Sequence, residues 1–349
     1  MHIPNALLDA KVVVATMVLG AAGLAFSLRC LEKKLGESTT VKMGIMAAFV
    51  FAAQMVNFPL GVIPASGHLL GGVLAAVMLG PWGGAVVIAA VLIVQCLLFG
   101  DGGLMTLGAN FLNMGLIGTV GGCMIYSPLR RAIGGRNGVL LGAMFAAWIS
   151  VILAAGAFSV ELAFSKRGPE FLRVLSLMTL VHAVIGVGEA LITGFVLRFI
   201  LMTRPDLIEG LDPDGSTHRR TTSQGEWVGI GAAGLAISLA VGIFLAPFAS
   251  SFDDGLEYVG SEEILGFSPT EKAAKSILPA PLPDYHVPGL EILSLKLATA
   301  AAGAIGTIVV FGFGISLAWT MNRIKIKSKA RNSNPTLAVA DAGSEFDAF

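Results

Sequence analysis

Gly84-Ala85-Val86-Val87-Ile88-Ala89-Ala90-Val91-Leu92-Ile93-Val94-Gln95-Cys96-Leu97-Leu98-Phe99 runs for sixteen residues without a charge. It is one of nine predominantly apolar stretches, at residues 11–28, 41–60, 69–79, 84–99, 104–126, 139–163, 171–202, 227–247 and 292–321. A helix needs roughly 20 apolar residues to cross the hydrocarbon of a bilayer, so the stretch 69–79 is too short for an unaided span. Hydrophobic residues make up 55% of the 349 and charged residues 13%, with a mean hydropathy of +0.79. Soluble domains average about 45–50% apolar and ~25% charged. The fold expected is therefore an all-α polytopic membrane protein: a seven-helix bundle followed by a two-helix C-terminal unit.

Lysine and arginine set the orientation, because basic loops stay cytoplasmic. With the amino terminus outside and nine crossings, the inner side receives Arg29, Lys33, Lys34, Lys42, Arg130, Arg131, Arg136, Arg198, Arg204, Arg219, Arg220 and the basic tail from Arg323 to Arg331. That is sixteen of the twenty-three basic residues. The chain is read as a multi-pass protein of the cell membrane with its carboxyl terminus cytoplasmic. Net charge is zero, and no basic surface points to nucleic acid. Cys30, Cys96 and Cys123 sit in or beside apolar segments and read as packing residues. Many of the 44 glycines fall at spacings that let helices approach closely in lipid, such as Gly115, Gly118 and Gly122 or Gly303 and Gly306.

A change of composition divides the chain. Residues 1–202 form the first membrane domain and 203–225 a polar cytoplasmic linker. Two spans follow within 226–322, flanking an outer segment that carries five prolines between 269 and 288. Residues 323–349 are a basic and then disordered tail.

The chain opens Met1-His2-Ile3-Pro4. The α-amine of Met1, the backbone nitrogen of His2 and its imidazole Nδ1 lie along one short covalent path, and together they can close two small fused rings on a cation. A fourth nitrogen completes a square-planar set, which suits divalent nickel or copper and not oxygen-seeking magnesium or calcium. The first apolar segment makes a poor cleavable signal, since Lys11 is the only basic residue before it, so this terminus is expected to be the mature one. Among the four other histidines, His68 falls in an outer loop on the same side as His2 and is the first choice for the fourth ligand. His182 is the second. Gly67 and the short stretch after it suggest a loop that re-enters the membrane, tolerated where protein covers the backbone.

Other polar residues converge on the same side. Gln54 with Asn57, and Asn110 with Asn113, are spaced to share helix faces; with Ser66 and Asp101 they are candidates to orient the ligands, although hydrogen bonding between helices is an equal alternative for the amides. His182 and Glu189 share a face and are expected to pair with each other. No phosphate loop, H-E-x-x-H pair, nucleophile elbow or paired carboxylate is present, so the chain is not expected to be an enzyme and no resident cofactor is expected. A membrane-embedded metalloenzyme and an assembly module remain as alternatives.

These residues resemble a known family, the substrate-specific membrane components of energy-coupling-factor transporters for nickel and cobalt, of the NikM and CbiM type. The resemblance lies in Met1-His2-Ile3-Pro4, Phe51 to Pro59, Ser66-Gly67-His68-Leu69-Leu70-Gly71-Gly72, Leu79-Gly80-Pro81-Trp82, Asp101-Gly102-Gly103, Gly108-Ala109-Asn110 and Asn113-Met114-Gly115. It implies that Met1, His2 and His68 hold the transported Ni(II) or Co(II). It implies as partners a transmembrane coupling protein and ATP-binding-cassette ATPases that supply the energy. The C-terminal unit resembles the small accessory component of these systems, with Asp254-Gly255-Leu256-Glu257 matching most of a P-D-G-L-E signature and Asp253 standing where proline is usual. Asn5-Ala6 departs from the acidic residue and glycine common in relatives.

Overall fold

The computed structural model describes residues 2–211, 223–261, 263–266 and 278–333. Met1, residues 212–222 of the linker with His218 among them, and the tail beyond Ser333 lie outside the described residues. The described residues are mostly helical, and among them one short hairpin pairs Phe58–Pro59 with Ser66–Gly67. Seven helices among the described residues are long and apolar enough to cross a membrane. This is a multi-pass membrane protein.

The first domain contains α1 (Ala10–Glu32), α2 (Glu37–Gln54), α3 (Gly72–Val94), α4 (Leu107–Asn110), α5 (Gly122–Ile133), α6 (Gly135–Leu162) and α7 (Phe171–Thr203). Widened turns extend α3 to Phe99 and join α4 to α5 through Phe111–Gly121. The short stretch 69–79 and the run 84–99 fall within one nominal helix, yet that helix reverses. Gly80 has φ 77° and ψ 164°, and Pro81 follows it. A Cβ placed on Gly84 would lie 2.8 Å from the Ala76 nitrogen, whereas eight residues of straight helix advance about 12 Å. Residues 72–79 are thus a half-helix that descends and turns back at Gly80.

The half-helix starts inside the bundle. Gly72 meets the backbone of Gly118, where a Cβ would come within 2.6 Å of the Gly118 carbonyl carbon; only a glycine permits that approach. Glu189 of α7 supports the preceding loop, accepting the Leu70 N–H at 2.5 Å and the Gly71 N–H at 2.9 Å. Residues Ala65 to Gly72 are all buried, the condition under which irregular backbone is tolerated at membrane depth.

The bundle has two distinct ends. At one, Lys34 pairs with Glu209 at 2.6 Å, Arg130 donates to the Glu209 carbonyl at 3.1 Å, and Lys325 reaches the Lys33 carbonyl at 3.4 Å. The other end gathers His2, His68 and Asp101 and is called here the site end.

The C-terminal unit comprises α8 (Gln224–Ala240), the short α9 (Gly255–Val259) and α10 (Leu295–Ser333). Ser223 and Glu226 close a reciprocal cap on α8. A widened turn, Val241–Leu245, continues α8 and crosses α10 at Gly242 and Gly303, whose backbones touch, and Gly314 of α10 packs on Ala47 of α2. Small residues here allow close packing without a hydrophobic driving force. Between these helices, residues 252–255 and Tyr285 fold back over the site end.

Candidate metal centre

The chain after His2 is tied down through both backbone polar groups of one residue, Ile3. Ile3 donates its N–H to Asn110 Oδ1 at 2.8 Å. Its carbonyl accepts from Thr106 Oγ1 at 2.5 Å, Gly103 N–H at 2.9 Å and Asn110 Nδ2 at 3.3 Å. Asn5 then accepts the Met105 N–H at 2.9 Å. The Asn5-Ala6 departure thus supplies its own anchor, an amide oxygen that holds the chain against the turn after Asp101.

This anchoring inserts His2 into the bundle with its side chain only 7% exposed. Its ring stacks on that of His68, with centroids 5.3 Å apart and planes 12° from parallel. His2 Nδ1 lies 3.1 Å from Asp101 Oδ1, and Asp101 Oδ2 accepts the Tyr285 hydroxyl at 2.5 Å. His2 Nε2 is buried with no hydrogen-bond partner. Burial opposes ionisation of Asp101, but the neighbouring His2 and the bonds from His2 and Tyr285 outweigh it and hold the carboxyl below its usual range.

His68 Nδ1 is 3.0 Å from the Leu69 carbonyl oxygen. A carbonyl only accepts, so the proton resides on Nδ1 and the lone pair on Nε2. Burial lowers the His68 pKa to about 3, which keeps the imidazole neutral, the form that binds a metal. Among the described residues no group of three or more His, Cys, Asp or Glu side chains could hold a metal ion.

The remaining candidates separate. Gln54 is buried, donates to the Leu70 carbonyl at 2.9 Å and accepts from Gln95 at 2.8 Å, so it braces the loop behind His68. Asn57 does not share a helix face with it, because α2 ends at Gln54; its carbonyl accepts the Ser250 N–H at 2.8 Å. Asn110 and Asn113 also diverge. Asn110 holds Ile3, while Asn113 donates to Glu161 of α6 at 2.9 Å; the helix widens from Phe111 onward, which changes the angular step between them. Ser66 faces the C-terminal segment, donating to the Phe252 carbonyl at 2.8 Å.

The expected pairing of His182 with Glu189 is not found. Glu189 is committed to the Leu70 and Gly71 amides, and His182 Nδ1 lies 2.8 Å from the Met178 carbonyl. Backbone N–H groups of a buried loop need acceptors as much as a carboxylate needs donors, and the loop wins. Sequence reasoning missed Thr106, Glu161 and Tyr285. Nothing in the sequence around Tyr285 marks it; the Gly102-Gly103 pair beside Asp101 was the one signal that a second chain segment approaches there.

The C-terminal segment completes the cover. Asp254 caps α9, accepting from Leu256 and Glu257 N–H groups at 2.8 and 2.9 Å, and Glu257 accepts the Asp254 N–H at 3.1 Å. This reciprocal cap explains the Asp and Glu of the Asp-Gly-Leu-Glu run. Leu256 is buried, and Gly255 lies against His182.

Residues 2–207 match the family described as "Cobalt uptake substrate-specific transmembrane region", CbiM, and residues 229–323 match the PDGLE domain. This chain belongs to the CbiM family. It is 34% identical over 315 residues to the "Putative fused nickel transport protein NikMN" of Archaeoglobus fulgidus, covering 89% of this chain and 95% of that one. The fused nickel transport protein NikMN of Rhodobacter capsulatus is 30% identical, over 71% of this chain and 74% of its own. A crystal structure of a truncated transition metal transporter superposes with a TM-score of 0.52 at 28% identity, covering 58% of this chain and 99% of that chain. The CbiM-like part of the molecule therefore carries a transition-metal transporter fold, and the chain is a metal-uptake component of that family.

Proposed function

We propose that this CbiM-family chain captures Ni(II) or Co(II) at the site end and delivers it inward, with the metal held by the α-amine of Met1, the backbone nitrogen and Nδ1 of His2, and Nε2 of His68. The observation that carries this reading is the stacking of His2 on His68 with both rings buried. Capture through His2 Nδ1 exchanges its contact with Asp101 for the metal, and the carboxylate remains beside the resulting cationic complex. Such outer partners typically change metal affinity about 10–100-fold. Nitrogen donors in a plane suit nickel, and the relatives named above as nickel transport proteins favour nickel as the cargo.

The basic end is read as cytoplasmic, which puts the site end and the amino terminus outside. As the family resemblance implies, energy is supplied by a transmembrane coupling subunit and ATP-binding-cassette ATPases. Copper ought to bind such a site still more tightly than nickel, so selection rests on metal availability or on which complex is transported. Equilibrium nickel titration of the purified full chain tests the ligand set. His68→Ala is expected to cost most of the affinity; a variant that binds nickel as before refutes it.

A further inference from the structure

His182 on α7 is 1% exposed and has no part in the capture centre. Its Nδ1 faces the Met178 carbonyl at 2.8 Å, which places the proton on Nδ1 and the lone pair on Nε2. That Nε2 is buried and has no hydrogen-bond partner. Leaving a buried polar atom unpaired costs about 1–3 kcal/mol. An imidazole with one nitrogen donating to a backbone carbonyl and the other lone pair turned inward is the usual posture of a metal-ligating histidine. His68 likewise turns its Nδ1 to a backbone carbonyl, that of Leu69.

Between the two rings lies a cavity of about 10 Å³, lined by Gly67, His68, Leu70, His182, Ile185 and Gly255. It is on the scale of a single water or small ion. Gly255 of α9 forms one wall: a Cβ there would sit 2.6 Å from Ile185 Cδ1 and 3.2 Å from His182 Nε2, so any side chain would occupy the space. Asp254, next along the chain, is close enough for its charge to act on His68, an environment that favours a cation. His182 is also nearer the site end than the capture loop. It lies one turn before Ile185, which packs on Gly67, and about 10 Å along α7 from Glu189, which holds Leu70 and Gly71.

We propose that His182 and His68 form a second, weaker position for a divalent transition metal beneath Gly255, from which the ion is loaded into the His2–His68 centre. The inference rests on the capture reading given above. Because His68 belongs to both sets, the ion moves by exchanging His182 for the nitrogens of residues 1 and 2 while one imidazole stays bound. Two imidazoles completed by water hold metal loosely enough to release it.

Two variants test this in complementary ways. His182→Gln removes the imidazole, and Gly255→Ala fills the cavity while leaving every ligand in place. Initial nickel uptake is measured at subsaturating metal in cells carrying the complete transporter, together with nickel affinity of the purified full chain. Either variant is expected to slow uptake about tenfold while affinity and the ratio of one metal per chain stay close to those of the unsubstituted protein. Uptake unchanged in both variants overturns the loading position. Loss of equilibrium binding in His182→Gln, to the degree expected for His68→Ala, overturns it too, because His182 would then belong to the capture centre. His68→Ala retaining full affinity is a different failure, bringing down the capture centre itself and the loading position with it.

Discussion

Asp101 links two segments that are 283 residues apart in the sequence: Oδ1 lies 3.1 Å from His2 Nδ1, and Oδ2 accepts the Tyr285 hydroxyl at 2.5 Å. The carboxylate thus joins the amino-terminal segment to the C-terminal unit directly across the candidate centre. Asp101→Asn keeps the shape and removes the charge beside a bound cation. Nickel affinity is expected to fall about tenfold, with Tyr285→Phe milder because the carboxylate persists. Titration of both variants checks the order; affinity unchanged in Asp101→Asn contradicts the role.

The two asparagines of the widened helix should behave differently. Asn110→Ala strips Ile3 of its N–H acceptor and one donor, at a cost of about 1–3 kcal/mol, and loosens the segment that presents His2. Asn113→Ala breaks only the bond to Glu161. Nickel affinity should drop in the first and stay nearly constant in the second; equal losses would show that Asn110 does not position the amino terminus.

Glu189→Gln replaces one of two acceptors facing the Leu70 and Gly71 amides with a donor. Thermal unfolding should shift downward by about 1–3 kcal/mol of stability, and nickel binding should weaken because His68 sits two residues before Leu70. A variant as stable and as tight as the original protein removes Glu189 from the account of the loop.

Acid should release the metal. The ligand nitrogens bind only when deprotonated, and a free α-amine titrates near ~8. His68, held at about 3 by burial, is already neutral at pH 5 and is not the competitor there. Its shift acts on the fold instead: between ~6.5 and about 3 the unfolded chain binds more protons at this position than the folded one, so stability declines as pH falls through that window. Nickel titrations at pH 8, 6.5 and 5 should show progressive weakening; a flat profile is incompatible with an amine and an amide in the set.

Much of this architecture can be read from the chain because lipid leaves few choices. Apolar runs marked the helices, and the short run 69–79 was rightly too short to span alone, becoming the half-helix that turns back at Gly80 and Pro81. The end of α2 at Gln54 was not legible, since Met55 and Val56 continue the apolar run and the break comes from tertiary contacts of the hairpin. Long-range polar pairs escaped for a different reason. Glu189 on backbone amides, Ser66 on the Phe252 carbonyl and Tyr285 on Asp101 follow no periodic pattern, and each joins segments more than a hundred residues apart. The His182–Glu189 pairing failed because seven-residue spacing gives a shared face but does not say what a buried loop will demand from that face.

The central claim is that the start of the polypeptide supplies nitrogen ligands, and the most direct measurement is nickel affinity of the full chain with Gly-Ser added before Met1. Binding is expected to be lost while the helical fold and its thermal unfolding stay intact, because the extension converts the terminal amine to a peptide nitrogen. Unaltered nickel affinity in the extended protein would contradict it.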